Sequence, residues 1–282
     1  MRQIKIFILI TLILAMLACT LSVNVPEIRT GVTETKIIKE SGNSGNNPLR
    51  ISIQMGAGTL NINPGGTASI EGIVKYNVMD WEPKIVNSGG LIEISQSNTS
   101  SVGIPNGQIV NSWDLQLGSD PMELTISTGA NEGSFDLSGL AISRLSISDG
   151  ASKTNVSFTK PNPVVMEKFD YHTGASEVTL KGLGFARMRN LEFYGGAGSY
   201  HIDLTGNLLD DMNVKVSSGM SDVTIIVPSD AHTIVSVNGG ISNINANGTW
   251  TISGNQYENG IGSPVITVNI EMAVGNLNLI QQ

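Results

Sequence analysis

Three histidines, one cysteine and a scatter of carboxylates are the residues of this chain with the chemistry for a site. A zinc site needs three or four ligands that converge. His172 and His201 fall on alternating stretches at unlike positions, and His232 follows Pro228 in a turn, so all three read as solvated strand or turn residues. Serine is abundant, but no Gly-x-Ser-x-Gly elbow is present. Gly56-Ala57-Gly58 and Gly196-Ala197-Gly198-Ser199 resemble pieces of a dinucleotide loop, yet both run into strands. Phosphate binding of that kind needs the N-terminus of a helix. Asp210-Asp211 lies in a turn, and Asp149, Asp170, Asp203, Asp222 and Asp230 are spread through the chain. Calcium needs six to eight converging oxygens, and the acidic nonapeptide of calcium-binding β-rolls is absent. Glycoside hydrolysis needs a spaced carboxylate pair, usually in a groove with aromatics. Trp81, Trp113 and Trp250 are far apart, while Tyr171, Phe193, Tyr194 and Tyr200 offer a ladder on neighbouring repeats. Of these, Tyr171 and Phe193 read as core, and Tyr194 and Tyr200 as the exposed pair. The expectation is no catalytic set, no metal and no cofactor.

The cysteine points to an address. Met1 to Lys5 carries a basic start, Ile6 to Leu17 is almost wholly apolar, and Ala18-Cys19 follows. This is the pattern of a secretory signal, and the apolar run is short for a spanning helix. Met16-Leu17-Ala18-Cys19 resembles a bacterial lipobox, with Met where Leu is usual. That resemblance implies that Cys19 is acylated and becomes the first residue of the mature chain. No second cysteine is available for a disulfide. The alternatives are a plain signal peptide or an uncleaved anchor. The expected location is the extracytoplasmic face of the cell membrane, held by lipid. A net charge of -8 argues against a nucleic-acid phosphate partner.

The elements that would position any site are strands. The chain has 32 glycines and few aromatics, and its Val, Ile and Leu alternate with polar residues. Gly, Asn and Ser make tight turns, while β-branched residues favour strands. A motif of small residue, Gly, small residue recurs at Gly129, Gly150, Gly174, Gly196, Gly219 and Gly240, at spacings of 21, 24, 22, 23 and 21. Gly56 carries an earlier copy. Apolar residues sit two apart on either side, as in Phe169-Asp170-Tyr171 and Val178-Thr179-Leu180. Stacking such units makes continuous apolar ladders that no unit buries alone. The glycines read as bends between two short strands, with freedom to take positive φ. The expected fold is all-β: a repeat-built, β-solenoid-like stack of short strands with about 22 residues per rung. The expected divisions are a signal peptide over 1–19, a flexible tether over 20–47 with a transient strand near Thr33 to Ile38, an N-terminal β region over 48–120 and a repeat region over 121–282. Glu271 to Leu279 echoes Gln54 to Ile62, which reads as a pattern that opens and caps the stack.

On Met55-Gly56-Ala57-Gly58-Thr59-Leu60-Asn61-Ile62-Asn63-Pro64-Gly65, the serial Gly-Ala-Ser motifs and Glu271 to Leu279, the chain resembles the toastrack family of bacterial envelope domains over roughly residues 48 to 280. The resemblance implies a stacked β fold with no attached catalytic residues. It also implies relatives among surface adhesins and among membrane-linked phage-shock and cell-wall-antibiotic response proteins. The expected role is a non-enzymatic surface interaction, adhesin-like or scaffold module. The alternatives are an envelope-stress partner of a membrane sensor, or a glycan-binding or glycan-active β-helix. The expected partners are the membrane, through the lipid, and an envelope protein or cell-wall glycan.

Overall fold

The computed structural model describes residues 27–282 apart from 44, 46 and 98–103. The signal segment, Cys19 and residues 20–26 lie outside the described residues. Seventeen strands follow in chain order. They are β1 (Glu27–Arg29), β2 (Glu34–Glu40), β3 (Leu49–Pro64), β4 (Ile70–Tyr76), β5 (Pro83–Ser88), β6 (Leu91–Gln96), β7 (Ile104–Asn106), β8 (Asn111–Leu117) and β9 (Met122–Asp136). Then come β10 (Ile142–Ser157), β11 (Lys168–Lys181), β12 (Asn190–Asp203), β13 (Met212–Val227), β14 (His232–Asn247), β15 (Thr251–Ser253), β16 (Gln256–Asn259) and β17 (Val265–Gln281).

Eight of these strands are long, and each is one rung of a parallel stack in the order β3-β9-β10-β11-β12-β13-β17-β14. The expected pair of short strands around each glycine is a single strand of 14 to 17 residues that continues through it. The two arms of a rung nevertheless face one another, because the inward parity changes at the glycine. In β11, Phe169 and Tyr171 are buried before Gly174, and Ser176, Val178 and Leu180 after it. Side chains alternate faces along a strand, so an odd step from Tyr171 to Ser176 sends both arms' apolar residues into one space. The rings of Phe193 and Tyr200, on opposite arms of β12, meet there at 4.9 Å. Each rung thus exposes apolar surface on both arms, and only its neighbours complete the core. Every fully buried Leu, Ile or Phe contributes about 1.5–3 kcal/mol.

The repeat glycines form a ladder for a reason other than the one expected. None of the six from Gly129 to Gly240, nor Gly56, has positive φ. Instead a Cβ on Gly174 would stand 2.4 Å from the Gly150 carbonyl oxygen, and one on Gly196 would stand 2.4 Å from that of Gly174. Gly129 meets Gly56 in the same way, Gly150 meets Gly129, and Gly219 meets Gly196. At the bend each carbonyl points at the next rung's α-carbon, and a methyl has nowhere to go.

Three further expectations change. The segment 20–47 is not wholly a tether, because β2 pairs along its length with β4 and β1 pairs with β7. The division near residue 120 has no counterpart in the sheet, since β3 pairs in register with β9 from Leu49 to Ile62. The echoing sequences do not sit at the two ends. β17 is inserted between β13 and β14, and β3 has β6 and β8 beyond it.

The ladder yields a direct test. Gly174→Ala is expected to cost about 1–3 kcal/mol in denaturant unfolding, the scale of overpacking a closed site. Gly31→Ala, whose Cβ would meet its nearest neighbour at 3.7 Å, is expected to stay within about 0.5 kcal/mol of wild type. Equal effects would contradict the steric reading.

Candidate functional site

The inner side of the bend is lined by polar side chains that pair across it. In β9, β11 and β13 the residue before the repeat glycine and the second residue after it meet across the bend. Thr128 Oγ1 donates to Asn131 Oδ1 at 2.8 Å, Thr173 Oγ1 and Ser176 Oγ lie 2.6 Å apart, and Ser218 and Ser221 hydroxyls lie 2.7 Å apart. In β12 both positions are glycine, and the Tyr200 ring fills the slot. Its phenol lies 2.7 Å from where a Cβ on Gly195 would stand. A seam of hydroxyls therefore climbs the stack inside a hydrophobic core.

One charge stands in that seam. Asp149 is buried. Tyr171 donates to its Oδ2 at 2.6 Å, Ser176 Oγ donates to its Oδ1 at 3.2 Å, and Thr173 Oγ1 is a third partner on Oδ1. Burial, and then the Asp149 charge, drive the Tyr171 phenol well above its ordinary pKa, so it stays a donor. The same two causes push Tyr200 up to about 12. The hydroxyls of Tyr200, Ser152 and Thr154 are buried without a hydrogen-bond partner in this region. A carboxylate held by three hydroxyl donors is tied as a structural acceptor. Among the described residues, no histidine or lysine is hydrogen-bonded to it.

Outside the bend, a shallow depression of about 420 Å³ is lined by Ser148, His172, Thr173, Tyr194 and Ser218. The His172 and Tyr194 rings stack at 4.8 Å and 12°, because neighbouring rungs place them one above the other. The Lys215 ammonium sits 5.5 Å from the Tyr194 ring centre. Below this, Lys168 bridges Asp170 at 2.7 Å and Glu192 at 3.1 Å. The Asp170 hydrogen bond leads in raising the Lys168 pKa, and the Lys168 hydrogen bond leads in lowering that of Glu192. The Tyr194 ring is thus engaged by His172 and by Lys215.

The remaining candidates are scattered. His201 lies on the outward side of β12, and His232 Nε2 sits 3.0 Å from Glu258 Oε1. Asp203 accepts the Thr205 N–H, Asp211 accepts the Val265 N–H, and Asp222 accepts from Asn276. Among the described residues, no three His, Cys, Asp or Glu side chains are grouped to hold a metal ion. Tyr200, expected at the surface, is buried, and Phe169, Tyr171, Phe193 and Tyr200 form a run of ring contacts inside the core. Two residues that the sequence did not single out close the first end of the glycine ladder. Gln96 Oε1 accepts the Gly56 N–H at 2.9 Å, and Asn111 Nδ2 donates to the Ala57 carbonyl. Asn111 Oδ1 in turn receives the Trp113 indole N–H. They replace the bend of a further rung where β6 and β8 each take one arm. The one signal was an Asn two residues before a Trp, which is too common to read.

With this geometry in view, the family model for the N-terminal domain of toast_rack, DUF2154, matches residues 27–166 and 161–226. The chain belongs to the toast-rack family. The name suits the row of bent rungs. No protein of curated function matches the chain. Among solved structures, the toast-rack chain is similar to a candidate cell adhesion protein from Clostridium sporogenes, with 24% identity, a TM-score of 0.48 and coverage of 89% of this chain and 99% of that one. It is also similar to a candidate adhesin from Bacteroides fragilis, with 12% identity, a TM-score of 0.48 and coverage of 90% and 99%. A candidate lipid binding protein from Parabacteroides distasonis follows at 13% identity, a TM-score of 0.40 and coverage of 90% and 100%. Likeness at this level carries no function across.

The Asp149 network makes a graded prediction. Asp149→Ala leaves the buried Tyr171 phenol without its acceptor and takes one from Thr173 and Ser176, and is expected to cost about 2–4 kcal/mol by chemical unfolding. Asp149→Asn keeps one acceptor oxygen and is expected to cost clearly less. An alanine variant as stable as wild type would show the carboxylate to be dispensable.

Proposed function

We propose that this toast-rack protein is a non-enzymatic module of the cell envelope that presents surfaces to other envelope components, in the manner of an adhesin or scaffold. The observation that carries the reading is how the rungs spend their side chains. Apart from the second arm of β14, the inward positions of the rungs are core or seam, so the outer faces of the arms are what remains for partners. Those faces are in-register rows, repeated from rung to rung, which suit extended or repeating ligands. No helix among the described residues is long and apolar enough to cross a membrane.

Attachment through an acylated Cys19 is part of the proposal and rests on the lipobox-like Met16-Leu17-Ala18-Cys19. Several acyl chains on one residue anchor firmly, at about 0.8 kcal/mol per buried methylene. In the native host, Cys19→Ser is expected to abolish the lipid mass on the mature N-terminus and to shift the protein out of the membrane fraction. A variant that stays in the membrane, with wild-type mass, would overturn the anchor and leave the module's surface role to be judged alone.

A further inference from the structure

The two ends of the stack differ in how they meet solvent. At the first end the edges are β2, with Glu34, Lys36, Lys39 and Glu40, and β5, which opens with Pro83-Lys84. Charges and proline are the usual guards of an exposed edge. At the other end the edges are β14 and β15. Residues 233 to 257 contain no charged side chain, in a chain of net charge -8.

The first arm of β14 is covered, because Thr233 to Ser236 pair with β16 and Val237 N–H bonds to Asn255 O. From Gly239 onward, β14 has β17 on one side and, among the described residues, no strand on the other. The register is broken between Ile241 and Asn243, and the Asn247 carbonyl is taken by the Trp250 indole N–H at 3.2 Å. Between those points Asn243 to Ala246 is a regular, open edge. Its inward residues continue buried columns: Ile244 is level with Leu277, and Ala246 with Leu279. Leu277 and Leu279 are fully buried, whereas Ala246 is exposed. The core is open-ended here. Its outward residues, Asn243 and Asn245, are amides that bond each other at 3.2 Å, and Asn245 donates to Asn278 at 3.1 Å.

We propose that this edge pairs with the same edge of a second copy, antiparallel about a twofold axis at Ile244. The occupant follows from the edge's own chemistry. An amide is donor and acceptor at once, so Asn243 and Asn245 match Asn245 and Asn243 of a second copy without change. Ile244 meets its equivalent on the inward side and closes the open column. No charge is present to repel a like edge or to select an unlike partner. A twofold contact is closed and stops at two, whereas stacking this end on the charged β2 end would grow without limit.

The experiment is sedimentation velocity on the full chain, with two double variants, Asn243→Lys with Asn245→Lys, and Asn243→Glu with Asn245→Glu. Both positions are solvent-facing, and circular dichroism verifies the fold of each variant. Wild type is expected to be a dimer. Each variant alone is expected to dimerise about tenfold or more weakly through like-charge repulsion, and an equal mixture of the two is expected to recover the dimer. A monomeric wild type overturns the proposal. So does a dimer that both variants leave intact, or a mixture of the two that fails to associate.

Discussion

The rest of the structure depends on the distance between a carbonyl oxygen and the α-carbon of the next rung at the bend. Parallel strands stand about 4.7–4.9 Å apart, fixed by their hydrogen bonds. Along the arms, side chains point away from that direction and the spacing is free of conflict. At the bend the backbone turns a carbonyl toward the neighbouring rung, and the room left there is less than a methyl requires. Glycine at that point lets the arms keep their register on both sides. The hydroxyl seam, the facing arms and the buried Asp149 all follow from a bend that is tight and repeated. One rung departs from the rule. Ala273 occupies the ladder position of β17, level with Gly219, and a Cβ on Gly240 would meet its carbonyl at 2.4 Å.

A stack of identical rungs has no intrinsic end, and the two ends here are resolved differently. At the first end the rung is split into β6 and β8, and Gln96 and Asn111 supply the hydrogen bonds that a further bend would make. Antiparallel strands with charged side chains then cover it. At the second end one arm is covered by the β15–β16 hairpin and the other is bare. The molecule is thus closed on one side and uncharged on the other, and this polarity is independent of how its N-terminus is held.

Much of this was legible in the residues. The spacing of the glycines and the two-residue alternation give the all-β stack, and the inward columns read from Phe169, Tyr171, Val178 and Leu180 are the buried ones. The steric role of the glycines was hidden, because a single rung carries no information about its neighbour's carbonyl. The place of β17 was also hidden. Its sequence matches β3, and nothing local distinguishes an end rung from one inserted between β13 and β14. Tyr200 was misplaced to the surface because two glycines, Gly195 and Gly198, make the slot that its ring enters. That requires knowing which residues face each other across the bend. Asp149 stands where other rungs carry Thr, Ser, Gly or Met, yet its three donors come from β11, a different repeat.

The claim that glycine serves the contact between rungs, and not its own rung's conformation, is tested most directly by a double-mutant cycle on unfolding free energy. Gly150→Ala and Gly174→Ala share a gap between adjacent rungs, so the first substitution, by opening the stack, makes room for the second. The pair is predicted to cost less than the sum of the singles, by about 0.5 kcal/mol or more, while Gly129→Ala with Gly219→Ala, four rungs apart, adds within about 0.5 kcal/mol. Strict additivity of the adjacent pair would contradict the account, because each glycine would then be answering to its own backbone alone.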